Sequence, residues 1–452
     1  MHVHAGGTAN ATGPSLDPAQ RGRVRAVLAA ITLPLLIATV IGLVWLWPRG
    51  ETTFGSLPLR ADGSEMVSAE ITQITPIGGE ELDPFQGADV RGVLTSGMGE
   101  GIEVPIQVPG EILVSGLEVG SKITVVFTAD AMETGSPYVF YDFERGAPLL
   151  MLALIYLAVV ALVARWRGLA AVLGLFASLS VTGVFILPAI MGGAEPLLVV
   201  LVGASAMMFL AVYLAHGISI RTTTALLGTY VGLAITGLLG YASIGGARLT
   251  GAQSDTSLVI STVFPYLDLR DLLLCGLIIA GLGALNDVTI TQASAVWELH
   301  AVNPALSRRR LLQGGMRIGR DHIASTVYTL AFAYVGTALP MLLVAALIDR
   351  SLIDFLTASE IAEEVVRTLV SSIGLILAIP ITTAVAAALV PRQPAAAGVP
   401  HGDDDGAALP GGVASTPHSS QDAEITAGAG GGAGRNKSVW DAIESGDPWT
   451  ES

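Results

Sequence analysis

Residues 281–300 read GLGALNDVTITQASAVWELH, and they close an apolar run that begins at Leu272. A run of this length suits a bilayer-spanning helix, which needs about 20 residues. This one nevertheless carries Asn286, Asp287, Thr289, Thr291, Gln292, Ser294 and Glu298. Set on a helix at about 100° per residue, Gly276, Ala280, Gly283, Asp287, Thr291, Ser294 and Glu298 fall on one stripe. The first half of the stripe is small, which allows close helix approach as a packing surface. The second half is polar and acidic, while Leu274, Leu277, Ile278, Leu282 and Leu285 lie away from it. A carboxylate at bilayer depth is costly unless paired, protonated or wetted. The stripe is therefore expected to face a bundle interior or a water-filled cavity. Asp287 would sit near mid-membrane and Glu298 near the cytoplasmic boundary.

The rest of the chain is of the same kind. Of its 452 residues, 52% are hydrophobic and 13% are charged, and the mean hydropathy is +0.64. A soluble protein would carry about a quarter charged residues. The apolar residues are blocked into eight runs, at 26–47, 148–164, 169–190, 196–216, 223–244, 272–298, 323–348 and 367–390. The expected fold class is an α-helical polytopic membrane protein of about eight transmembrane helices. The first run follows Arg21, Arg23 and Arg25 but is too long for a signal-peptide core, and it ends in Trp45–Leu46–Trp47–Pro48 with no small-residue cleavage site. It reads as a retained anchor with an interfacial Trp belt.

Arginine placement orients this bundle. With a cytoplasmic N-terminus, the inner side holds Arg21, Arg23, Arg25, Arg165, Arg167, Arg221, Arg308, Arg309, Arg310, Arg317, Arg320 and Arg392. The short outer loops hold only Arg248, Arg270 and Arg350. That is the positive-inside bias, and it requires an even number of spans with both termini cytoplasmic. Cys275 stands alone and lies in the sixth span, so no internal disulfide can form.

Three parts lie outside the spans. Residues 1–25 are a short cytoplasmic N-terminus, expected to be disordered. Residues 49–147, between the first and second spans, contain the β-type runs EMVSAEITQIT, ADVRGVLTSG, IEVPIQVP, SKITVVFTAD and PYVFYDFER, separated by Gly, Pro and Asp. They predict a small extracytoplasmic antiparallel β domain, a partly closed barrel or sandwich. From 49 to 146 there are 16 Asp and Glu against 5 Lys and Arg, a net charge of −11, which excludes nucleic acid and anionic lipid as natural partners. No D-x-D-x-D-G loop appears, so no metal is expected there. Residues 391–452 form an acidic Pro/Gly/Ala/Ser-rich tail, expected to be disordered. Within it Val439, Trp440 and Ile443 would share a helical face.

Partners for Asp287 should come from other polar spans. The seventh begins with Arg320, Asp321 and His322, and His322, Ser325, Thr326 and Thr329 run along one side of it. The fifth carries Thr222, Thr223, Thr224, Thr229 and Tyr230, and the eighth carries Ser371, Ser372, Thr382 and Thr383. Ser and Thr taken singly also serve as plain helix-packing residues. Pro188, Pro340 and Pro380 each free a carbonyl inside a span.

Several stretches together resemble the YibE/F family of bacterial membrane proteins. They are FYDFERGAPLLMLALIYLAVVALVARWRGL, FILPAIMGG, ALLGT in the fifth span, GLGALNDVTITQASAVWELHAVNP, and GGMRIGRDHIASTVYTLAFAYVGTALP. The resemblance covers about 140–345, and the preceding β domain matches the YibE-type arrangement. It implies a polytopic plasma-membrane protein and adds no catalytic residue. It puts Asp287, Ser294, Glu298, Gly319, Arg320 and Asp321 at motif positions; many members have Met before the Asp, where Asn286 stands here.

No H-E-x-x-H, G-x-S-x-G or P-loop is present, and Glu298 and His300, two apart on a helix, face away from each other. An enzyme is not expected, nor a cofactor. The polar sixth span favours a transporter or permease that is ion-coupled, passive or powered by another subunit. The alternative is an envelope assembly or signalling platform that binds protein partners through the β domain and tail.

Overall fold

The computed structural model describes residues 18–49, 64–77, 85, 87–97, 99–129, 137–252, 255–349 and 351–390. Disorder was expected for residues 1–25 and for the 391–452 tail; residues 1–17 and the whole tail lie outside the described residues, whereas residues 18–25 are helical, the first turns of the helix Pro18–Trp45.

Among the described residues, seven helices are long and apolar enough to cross a membrane. They are Gly22–Trp45 of α1 (Pro18–Trp45), Gly146–Met191, α5 (Pro196–His216), α6 (Ile220–Gly246), α8 (Leu269–Val302), α9 (Arg308–Ala346) and α11 (Ser359–Leu389). Gly146–Met191 is made of α3 (Gly146–Val181), a π turn (Thr182–Ile186) and α4 (Leu187–Met191). The π turn delivers the chain to Pro188, which has no N–H for a helical bond. Short helices α7 (Asp255–Val263) and α10 (Leu352–Leu356), not anticipated from the sequence, occupy two of the connections.

Local chemistry sets the helix starts. Ser219 caps α6 by accepting from Thr222 N–H while the Thr222 hydroxyl accepts from Ser219 N–H, a capping box. Asp268 caps α8 through Arg270 N–H, and Ser307 caps α9 through Arg310 N–H.

The sequence runs 148–164 and 169–190 both fall in the 46-residue segment Gly146–Met191. That segment is broken at Arg165, whose φ is 54° and ψ −144°. A Cβ built on Gly168 would lie 2.7 Å from Val160 Cγ1. In a straight helix residues eight apart are about 12 Å apart along the axis, so the chain bends sharply at Arg165.

Contacts give the helix directions. Thr39 bonds Ser205 (2.6 Å), and Gly42 abuts Val202, where a Cβ would meet Cγ2 at 2.6 Å, so α1 and α5 are antiparallel. Ser178 Oγ donates to Met207 O (3.1 Å) and Gly203 abuts Ile186, so the second half of Gly146–Met191 is also antiparallel to α5. The same reasoning makes α6 antiparallel to α5 and to α8, and α9 antiparallel to α8 and α11. The core lies among these helices, around Met208, Leu226, Ile278, Leu285, Leu375 and Ile379. Residues 146–167 include no buried side chain, and Leu162 is 83% exposed; such apolar exposure suits hydrocarbon as surroundings.

Between α1 and α3 lie five strands, β1 (Ser64–Pro76), β2 (Ala88–Leu94), β3 (Glu103–Ile106), β4 (Lys122–Thr128) and β5 (Tyr138–Phe143), with α2 (Gly110–Val114) between β3 and β4. The sheet order is β3-β2-β1-β4-β5. Gln107 closes the ring: its N–H donates to Tyr138 O and its carbonyl accepts from Phe140 N–H, both at 2.8 Å, as a parallel bridge. This is the connectivity of an OB-fold barrel. The long β1 serves both β2 and β4 and carries a bulge between Ile71 and Gln73, which bends it around the barrel. Alternate residues Val67, Ala69, Ile71, Val90, Leu94, Ile123 and Val125 fill the interior, and Leu113 of α2 packs with them. Just past β5's Asp142, Arg145 Nη1 donates to its Oδ1 (2.6 Å) and Phe143 N–H adds a bond, which together hold that carboxyl below its usual range.

Candidate functional site

A large share of the buried polar groups of the helical part lies where α6, α8 and α11 meet, while others, such as Thr39, Ser178 and Ser205, lie along α1, α3 and α5. From α6 come Thr224, Thr229 and Thr236, from α8 Thr289 and Gln292, and from α11 Ser371, Ser372, Thr382 and Thr383, all buried. Thr229 and Thr289 share a hydrogen bond of 2.6 Å. Thr383 donates to Gln292 Oε1 (3.0 Å) and to Ile379 O (2.6 Å).

Small residues bring the helices this close. Gly228 lies directly under Thr382 and Gly374 under the hydroxyl of Thr236. Between them a Cβ on Gly232 would stand 3.0 Å from Ala378 Cβ. The contacts thus recur every four residues along both helices, one per turn. On the other side α9 closes with Gly315 against Thr383 and Val296, and Gly319 against Ile379 and Gln292. Without side chains at these positions the hydroxyls approach backbone and one another at packing distance.

Not every group in the seam is satisfied. Gln292 Nε2, Ser371 Oγ, Ser372 Oγ and Thr382 Oγ1 are buried without a hydrogen-bond partner. Inside a membrane each such group is unfavourable, and the seam holds four of those found among the described residues. Two charged pairs flank it. Arg221 meets Glu298 at 3.5 Å at one end. At the other Glu364 and Arg367 pair at 3.0 Å, and Glu363 accepts from Gly251 N–H (3.1 Å).

The stripe singled out from the sequence lies elsewhere. Gly276, Ala280, Gly283, Asp287 and Glu298 are exposed, and Thr291 and Ser294 are half-buried. A Cβ on Gly276 or Gly283 would meet nothing within 4 Å, so as packing residues these two meet no neighbouring helix among the described residues, and Ala280 is exposed. Of the two surroundings expected for the stripe, a bundle interior or a water-filled cavity, the first is corrected: α8 buries the opposite face. The physical reason is that Thr289 and Gln292 are neutral, and a neighbour's hydroxyl pairs with Thr289 and with the Gln292 carbonyl oxygen. A carboxylate needs an opposite charge or water, and among the described residues no ion pair involves Asp287. Thr291 Oγ1 donates to Asp287 O, a bond within the helix backbone. Asn286 is half-buried with an unpartnered Oδ1.

The anticipated partners on α9 do not reach Asp287. Arg320, Asp321 and Thr329 are exposed, while His322 and Thr326 are half-buried. Thr326 and Thr329 donate to their own helix, at His322 O (2.8 Å) and Ser325 O (2.9 Å). His322 Nε2 is buried and unpartnered. The glycine ladder of α6 and α11 escaped the sequence reading. Its signal was present as Gly228, Gly232, Thr236 and Gly240 against Gly374, Ala378, Thr382 and Ala386, small residues at steps of four.

Apolar helices around a buried polar seam define a helical membrane protein. The family model for YibE/F-like proteins matches residues 152–392, more than half of the chain, and the chain belongs to that family. The match takes in α5 to α11 and with them the whole seam. No curated protein and no solved structure matches the chain.

Proposed function

We infer that this protein is a transporter or permease of the plasma membrane whose passage runs along the α6/α8/α11 seam. The observation that carries the reading is the set of buried, unpartnered polar atoms on Gln292, Ser371, Ser372 and Thr382. Polar groups inside spanning helices mark substrate and ion paths. The glycine contacts let the three helices part and close with little steric resistance.

The reading includes eight crossings with both termini cytoplasmic and the barrel outside. Support comes from the helix directions. The first helix and the second half of Gly146–Met191 both run antiparallel to α5, so the chain must recross between them, and the half before Arg165 is available to do so. Arginine placement points the same way.

The test uses Gln292→Leu with Thr382→Val, which keep volume and remove polarity. Growth of a strain lacking the gene is expected to fail with the double variant although the protein inserts and melts like the parent. Full rescue by a folded double variant would overturn the passage. The alternative, an assembly or signalling platform, is favoured by the separate hydrophobic core of the barrel. It predicts that loss of residues 60–143, rather than loss of seam polarity, abolishes rescue.

A further inference from the structure

The seam gives no role to Asp287. Its side chain is exposed at the middle of α8, and among the described residues no ion pair or side-chain hydrogen bond reaches it. A carboxylate open to hydrocarbon is unfavourable without an opposite charge, and that charge stands on the next helix. Gly319 packs on Gln292 and Gly315 on Val296, which sets the register of α9 beside α8. Counting from these contacts puts Arg320 level with Thr291, one turn or about 6 Å from Asp287 along the axis. Arg317, Arg320 and Asp321 are all exposed there, so this part of α9 presents a net positive charge. Within the chain Asp287 and Arg320 do not pair.

We propose that the exposed faces of α8 and α9 form a self-association surface, with a second copy of this chain as the occupant. Two copies in one membrane are related by a two-fold axis along the membrane normal, and that operation keeps every residue at its depth. Asp287 of each copy then faces Arg320 of the other at the same one-turn offset in depth, which the long arginine side chain can bridge, and one axis makes both pairs. A two-fold contact of α8 on α8 alone would instead oppose two carboxylates. The same face of α8 carries Gly276, Ala280 and Gly283, and the open space over Gly276 and Gly283 admits a closely approaching helix. The inference is independent of whether the seam transports anything.

The test is the mass of the full chain released from lipid nanodiscs by native mass spectrometry. The parent is expected at twice 46.5 kDa. Asp287→Arg and Arg320→Asp are each expected to halve that mass, and the combined Asp287→Arg/Arg320→Asp chain to restore it. Gly283→Leu, uncharged and placed where a side chain meets nothing in the monomer, is expected to give monomer with an unchanged melting curve. A monomeric parent overturns the proposal. So does a dimer that survives both charge reversals or Gly283→Leu, and so does failure of the combined variant to restore the dimer.

Discussion

Gly228 has no room for a side chain, because the hydroxyl of Thr382 already occupies the place a Cβ would take. Gly336 on α9 has open space around it. The same substitution at the two sites therefore separates packing from helix propensity. Gly228→Leu is expected to lower stability by about 3 kcal/mol, at the upper end of overpacking costs. Gly336→Leu is expected to raise it by up to about 1 kcal/mol, because Gly is the poorer helix former. Thermal melting of the two variants in the same detergent checks the pair, and equal melting would remove the α6/α11 contact as a constraint. That Gly228 and Thr382 are small or polar was visible in the sequence. That they touch was not, since they stand 154 positions apart in the chain.

The five strands illustrate how far an element can be read from its own residues. The run EMVSAEITQIT lies within β1, and ADVRGVLTSG, IEVPIQVP, SKITVVFTAD and PYVFYDFER contain β2 to β5 in turn. Alternation works here because one face of each strand is inside the barrel and the other is wet. The order of the strands and the closure at Gln107 were not legible, since both depend on which strand edges meet. Ile123 is fully buried in β4. Ile123→Ala is expected to cost the barrel about 2–5 kcal/mol. Urea unfolding of the isolated stretch 60–146, followed by circular dichroism, reads the shift; an unchanged midpoint would mean that the strands do not share that core.

For the whole molecule the decisive point is where the chain turns at Arg165. Reporter fusions are expected to report the cytoplasm at 166, 219 and 312 and the outer face at 100, 193, 255 and 355. An outer signal at 166 would leave the half before Arg165 outside the membrane and break the eight-crossing arrangement. The fusion at 312 tests the arginine bias itself, because Arg308, Arg309, Arg310, Arg317 and Arg320 cluster around that connection.

Composition and run length by themselves determined that this chain is a helical membrane protein with a β insert. Both follow from transfer free energies, which depend on what a segment contains and not on its neighbours. The face that α8 buries was decided only by the tertiary structure. Polarity along one helix names a stripe but not what lies opposite it. The hydroxyls that pair with Thr289 and with the Gln292 carbonyl oxygen are on α6 and α11, and among the described residues Asp287 has no ion pair. Burial of a polar group depends on its partner, and a partner distant in sequence becomes adjacent only when the helices pack.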